Sequence, residues 1–202
     1  MITGGAGFIG ANLADRLLAK GHRVTVLDDL SRQGTDANIA WLRERHGEAF
    51  ALIADSIVKP EVCQRAVAGA EVIYHLAAQT AVTTSVQDPR RDFEVNALGT
   101  LNLLEAARLA GHSPVVVYAS TNKVYGAMER EPVIELPTRY AFRDLPDGVD
   151  EEQPLDFHSP YGCSKGAADQ YVRDYARIYG VPTVVFRQSC IYGPRQMGVE
   201  DQ

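Results

Sequence analysis

Residues 3–10, Thr-Gly-Gly-Ala-Gly-Phe-Ile-Gly, place Gly4, Gly7 and Gly10 three residues apart. This spacing constrains the fold more than any other feature of the chain. Such a loop lets backbone N–H groups and the positive end of a following helix meet a pyrophosphate. It requires a strand to feed it and a helix to leave it. Phe8, Ile9, Leu13, Leu17 and Leu18 recur at helical spacing over residues 8–20, and Gly21 supplies a helix stop. Only residues 1–3 remain to form the strand.

The same alternation continues downstream. Residues 23–27 are short, β-branched and end in Asp28-Asp29, and residues 49–53, 71–76, 115–119 and 183–186 read as further strands. Helical patterns cover residues 36–45, 59–67, 91–109 and 160–179. Apolar strands alternating with amphipathic helices predict an α/β fold, a doubly wound parallel sheet covered on both faces. Residues 127–158 break the pattern with prolines and many carboxylates, which predicts a long excursion at the carboxyl edge of the sheet, where loops shape pockets.

At 202 residues the chain fits one domain with a substantial core. A net charge of -6 gives no electrostatic reason to expect nucleic acid or an anionic membrane as partner. No stretch approaches the roughly 20 apolar residues of a membrane span. Cys63, Cys163 and Cys190 lack the paired spacing of a zinc site and read as free thiols in a reducing compartment. The expectation is a cytoplasmic protein without a metal.

Asp28 follows the glycine loop by 18 residues, counted from Gly10, at the end of the second strand. It is placed to accept hydrogen bonds from an adenosine ribose and to repel a 2′-phosphate, with Asp29 beside it. NAD is therefore preferred over NADP, although Arg32 lies close by. The backbone of Gly4, Gly7, Phe8, Ile9 and Gly10 would take the pyrophosphate. Asp55-Ser56 ends the third strand, where the carboxylate either reaches an adenine amino group or caps a helix. Leu76, Ala77 and Ala78 follow the fourth strand, small enough to run beside the cofactor or simply to pack. His75 reads as a core histidine.

Ser159 and Pro160 suit the start of a helix, which puts Tyr161 and Lys165 on one face at i and i+4. The lysine cation would lower the phenol pKa from its usual value of about 10. The strand before this helix ends in Ser120-Thr121-Asn122-Lys123. Thr121, with Ser120 as alternative, is placed to hold a substrate oxygen, and Asn122 is a further candidate substrate contact. Tyr161 would take the hydroxyl proton as a hydride leaves for NAD, while Lys165 tunes Tyr161 and holds the nicotinamide ribose.

Gly4-x-x-Gly7-x-x-Gly10, Asp28, Asp55, His75-Leu76-Ala77-Ala78, Asn96-x-x-Gly99-Thr100, Ser120-Thr121 and Tyr161-x-x-x-Lys165 together resemble the extended short-chain dehydrogenase/reductase family, specifically its NAD-dependent nucleotide-sugar epimerases and dehydratases. The resemblance implies NAD as cofactor, with Asn96 among the residues that bind it, and a nucleotide-diphosphate sugar as substrate, a CDP-linked deoxysugar being favoured. It implies transient oxidation and re-reduction of a sugar carbon, and a possible homodimer through the helices at 91–109 and 160–179. The family's 4,6-dehydratases carry Asp-Glu after the threonine, and Asn122-Lys123 stands here instead. An amide cannot exchange protons usefully near neutral pH, so epimerisation is favoured over dehydration. A dehydratase or a dehydrogenase of the same family is the alternative. The resemblance also implies a smaller lobe beyond residues 191–195. The reading therefore expects a domain cut at both ends that binds NAD with weak or absent turnover, or is an inert NAD-binding fragment.

Overall fold

The computed structural model describes residues 1–197. Six parallel strands form the main sheet: β1 (Ile2–Thr3), β2 (Val24–Asp28), β3 (Phe50–Ala54), β4 (Val72–His75), β5 (Val115–Thr121) and β8 (Thr183–Gln188), in the order β3-β2-β1-β4-β5-β8. The chain runs outward from β1 to β3, then returns to lay β4 on the other side of β1. That reversal opens a crevice at the carboxyl ends of β1 and β4, the usual ligand position of such sheets.

β1 is as short as the sequence requires, yet it occupies the centre. Ile2 pairs with Val26 and Tyr74, and Thr3 with Leu27 and His75. The ladder continues past both ends: the Met1 amino group donates to the Val72 carbonyl at 2.9 Å, and the Gly4 N–H to the Leu27 carbonyl at 2.8 Å.

The helices are α1 (Phe8–Ala19), α2 (Thr35–His46), α3 (Pro60–Val67), α4 (Val82–Gln87), α5 (Pro89–Phe93), α6 (Gly99–Leu109) and α7 (Ser159–Tyr179). One core packs α1 and α2 on Ile2, Val26 and Phe50; the other packs α3, α6 and α7 on Ile73, Val116 and Tyr118. Both faces of the central strands are thus covered and those strands are largely apolar, whereas Val184 and Phe186 of the edge strand β8 stay exposed.

Helix α4 has no counterpart in the sequence reading, and two further elements differ from it. The helix expected over residues 91–109 starts at Pro89 and is interrupted by a π-turn, Glu94–Leu98. Asp88 caps its start through the Arg91 N–H at 3.0 Å. Within the π-turn, Asn96 makes long-range hydrogen bonds that a periodicity argument does not contain. The excursion at 127–158 holds an antiparallel hairpin, β6 (Val133–Leu136) with β7 (Arg139–Phe142). Its two strands pair only with each other, as a separate two-stranded sheet.

Candidate active site

The glycine loop folds around two close backbone approaches. A Cβ on Gly4 (φ 66°) would stand 2.7 Å from the Ala77 nitrogen, and one on Gly10 would stand 2.2 Å from the Gly4 carbonyl oxygen. Gly7 has only that same oxygen nearby, at 3.3 Å, so its absent side chain faces the open crevice. Gly7 is also the N-cap of α1, with no side-chain cap. The first-turn N–H groups of Phe8, Ile9 and Gly10 thus keep their outward direction and the positive helix end stays available to an anion.

Asp28 closes the loop from β2. Its Oδ2 accepts from the Ala6 N–H at 3.0 Å and its Oδ1 from the Leu30 N–H at 2.9 Å. Each oxygen keeps a further acceptor direction for a ribose hydroxyl. Burial raises the Asp28 pKa, opposed by the hydrogen bonds from Leu30 and Ala6. Asn38 of α2 holds the Ala6 carbonyl through Nδ2 at 3.0 Å, while its buried Oδ1 has no partner among the described residues. A buried acceptor left open beside this loop is what a bound donor would complete. Loop, carboxylate and orphaned amide oxygen together fit an adenine dinucleotide.

Asp29 accepts from Ser31 and pairs with Arg91 at 3.3 Å, tying this rim to α5. Arg32 donates to Thr80. Asp55 accepts from the Ser56 N–H at 2.8 Å and pairs with Lys59 at 2.8 Å, and Ser56 Oγ accepts from the Val58 N–H at 3.3 Å. Those contacts organise the approach to α3 while leaving Asp55 partly exposed. The segment 193–197 also lies across the α1–α2 edge. Asn12 Nδ2 donates to the Pro194 carbonyl at 2.9 Å, and the Arg195 guanidinium stacks 4.2 Å from the Trp41 ring centre.

On the β4 side, a chain of hydroxyls and one imidazole runs under the crevice. Thr100 Oγ1 donates to the Asn96 carbonyl at 2.6 Å, so it accepts from His75 Nε2 at 2.8 Å. His75 Nδ1 then accepts from Thr3 Oγ1 at 2.7 Å, which itself accepts from the Leu76 and Ala77 N–H groups. Burial drops the His75 pKa to about 3, which keeps the ring neutral and in this one tautomer. The Leu76–Ala77 backbone is thereby held against Gly4, with Ala78 next in the chain.

Asn96 behaves differently from its expected role at the cofactor. It is buried, its Nδ2 shares two hydrogens among the Gln79 carbonyl, Asp92 Oδ1 and Ser164 Oγ, each at 3.1 Å, and its Oδ1 accepts from the Gln79 N–H at 2.9 Å. With its donors and acceptor engaged by protein, the amide braces the loop after β4 against α7. Asp92 joins the same cluster by accepting from Ser164 Oγ. Sequence reasoning missed Asp92, Ser164 and Asn38, because their partners lie far away in the chain.

The catalytic end is built on β5 and α7. Ser159 Oγ accepts from the Gly162 N–H at 3.2 Å, an N-cap in function, and buried Ser85 of α4 accepts from the Tyr161 N–H at 3.1 Å. Thr121 lies near enough to Tyr161 to offset part of what burial does to the phenol. Thr121 Oγ1 also accepts from the Lys123 N–H at 3.2 Å and donates to Asn122 Oδ1 at 3.4 Å. Ser120, the alternative, donates to buried Asp169 at 2.7 Å.

Lys165, expected to act on Tyr161, makes its hydrogen bond elsewhere in this geometry. Burial raises the phenol pKa, Thr121 opposes it, and Asp92 raises it further. Lys165 instead donates to the Ala119 carbonyl at 2.6 Å and sits 4.3 Å from the Tyr118 ring centre. Burial pulls its pKa down to about 7, against the opposing pull of Asp169 and Asp92. Among the described residues no cluster of His, Cys, Asp or Glu could hold a metal ion, and no helix is long and apolar enough to cross a membrane.

A doubly wound sheet with this crevice, and a tyrosine and lysine at its rim, defines an NAD-binding domain of the extended short-chain dehydrogenase/reductase class. The chain belongs to the NAD-dependent nucleotide-sugar epimerase/dehydratase family: a family model described as GDP-mannose 4,6 dehydratase matches residues 1–200. It is 48% identical, over its whole length, to 60% of a CDP-paratose 2-epimerase from Salmonella typhi. It is 38% identical to a UDP-glucose 4-epimerase from Mycolicibacterium smegmatis, over 97% of this chain and 57% of that protein. Among solved structures, the UDP-glucose 4-epimerase of Thermus thermophilus in complex with NAD superimposes with a TM-score of 0.76 at 36% identity, over 97% of this chain and 56% of that one. The chain thus spans about 60% of the length of the curated relatives it matches.

Proposed function

We propose that the chain carries the NAD site and proton-transfer residues of a nucleotide-sugar epimerase, with a CDP-linked deoxysugar as substrate and C2 as the carbon inverted. The observation that carries this reading is the placement of Thr121 at the carboxyl end of β5 and of Tyr161 in the first turn of α7, its N–H held by Ser85, beside the dinucleotide crevice. The 48% identity to a CDP-paratose 2-epimerase supports the substrate and the carbon.

NAD, when bound, supplies the hydride acceptor and later the donor. Gly4, Gly7, Phe8, Ile9 and Gly10 would hold its pyrophosphate and Asp28 its adenosine ribose. Thr121 orients the sugar hydroxyl by hydrogen bonding, and Tyr161 accepts its proton as the carbon is oxidised and returns a proton on reduction. Lys165, one helical turn along, would hold the nicotinamide ribose and, turned from the Ala119 carbonyl, would favour the tyrosinate. Asn122, next to Thr121, cannot act as an acid or base near neutral pH, which supports epimerisation against the dehydratase alternative.

The test is Tyr161→Phe in the full-length enzyme. It should retain NAD and lose at least about a hundredfold in turnover, since the acid–base group goes while the ring stays. Product formation from CDP- and UDP-sugars, followed by mass spectrometry and NMR of the inverted centre, measures this. Unchanged turnover would remove Tyr161 from the mechanism, and sustained NADH release would replace the epimerase with a dehydrogenase.

A further inference from the structure

Tyr161, Lys165 and Asp169 follow one another at intervals of four on α7, so their side chains form one stripe along the helix. The stripe docks on consecutive residues of β5. Lys165 Nζ donates to the Ala119 carbonyl at 2.6 Å, and Asp169 Oδ2 accepts from Ser120 Oγ at 2.7 Å. Asp169 is fully buried and is gripped from the edge strand by Arg187, whose Nε and Nη2 donate to its two oxygens at 3.1 Å each. Gln170 Nε2 completes its acceptors at 2.9 Å. Arg187 is aligned by register, since it pairs with Ser120 across β5 and β8, and by Nη1 donating to the Tyr125 hydroxyl at 2.9 Å.

The groups around Lys165 come from four elements. Tyr161 and Asp169 share α7 with it, Asp92 lies on α5, and neutral His75 lies on β4, while β5 supplies the Tyr118 ring and the Ala119 carbonyl. Of the two carboxylates, Asp92 is engaged with Ser164 and Asn96, and Asp169 alone is bound by a guanidinium.

We propose that Asp169 is a positioning residue for Lys165, and that Arg187 sets how much of the Asp169 charge Lys165 feels. A bare buried carboxylate one turn away would lock the lysine as an ammonium facing the sheet. With Arg187 forked onto it, part of that field is cancelled, and Lys165 can turn toward a ribose or Tyr161 and exchange a proton. The inference rests on Tyr161 and Lys165 being the proton-handling pair.

The experiment is an NMR titration of the Lys165 ε-carbon in lysine-labelled full-length protein, where Lys20, Lys59 and Lys123 are the other lysines of this stretch. Asp169→Asn removes an attracting charge and should lower the midpoint by about one pH unit or more; Arg187→Gln unmasks the carboxylate and should raise it by a similar amount. A pair that merely held the fold together would, on loss of either partner, admit water and move both midpoints up toward that of an exposed lysine. Shifts of the same sign, or none, therefore overturn the proposal. Breaking a buried pair is costly. If either single variant fails to fold, Arg187→Lys, which keeps a cation but loses the fork, should raise the midpoint by less than about one unit; a fall or no change overturns it. Midpoints are read without turnover, so a failure of Tyr161→Phe to lose activity would leave this result standing, and the reverse.

Discussion

Replacing Gly10 by alanine should damage the fold, whereas the same change at Gly7 should damage ligand binding. A Cβ at Gly10 would lie 2.2 Å from the Gly4 carbonyl oxygen and 2.6 Å from the Gly5 Cα, both of them backbone. Relief requires about 1 Å of movement of α1 away from a loop that is itself pinned to Leu27 and Ala77, so the strain falls at the upper end of the overpacking range, about 3 kcal/mol. For a domain of this size that corresponds to a fall of about 6–12 °C in Tm. At Gly7 the added Cβ meets only the Gly4 oxygen, at 3.3 Å, and φ is -73°, which alanine adopts freely. Its Tm should stay within about 3 °C of wild type, while NAD affinity falls about tenfold or more because the methyl group enters the path of the pyrophosphate. Differential scanning calorimetry without ligand and isothermal titration with NAD separate the two effects. A Gly10→Ala protein that melts with wild type, or a Gly7→Ala protein that melts more than about 3 °C below it, would refute the steric reasoning.

Two further outcomes follow from the buried network. The folded Lys165 loses its proton near pH 7 and the unfolded one near 10.5, so the unfolded chain binds the extra proton between those values and stability rises with pH, by at most about 1.4 kcal/mol per unit. Below pH 7 both states are protonated and the slope vanishes. Lys165→Met should flatten the rise between pH 7 and 9 in urea titrations; an unaltered slope would mean that the folded lysine is not depressed. Asn96→Ala should cost about 2–4 kcal/mol in denaturant unfolding, since it strands the Gln79 N–H and carbonyl as well as Asp92. A variant of wild-type stability that had lost only NAD affinity would return Asn96 to the cofactor site.

The glycine spacing, the acid ending β2 and the strand–helix alternation were legible in the chain because each is a local pattern with its own period. The helix bearing Tyr161 and Lys165 was legible for the same reason, since Ser159 and Pro160 mark its start and four residues make one turn. Asp92, Ser164 and Asn38 carried no such signal. Nothing within a few residues of Asp92 announces that Ser164, 72 residues later, will donate to it. The π-turn at 94–98 was hidden similarly, because it depends on where the Asn96 amide must reach.

Sequence by itself determined the strands of the main sheet, the longer helices and the chemistry of the groups at the crevice, since periodicity, glycine spacing and turn signals act over short stretches. Tertiary structure alone decided the electrostatics. Whether Lys165 faces Tyr161 or the Ala119 carbonyl, which of Ser120 and Thr121 keeps its hydroxyl beside the phenol, and which carboxylate Arg187 neutralises all depend on contacts between α7, β5, β8 and α5. Burial and charge act through space, and the chain order records neither.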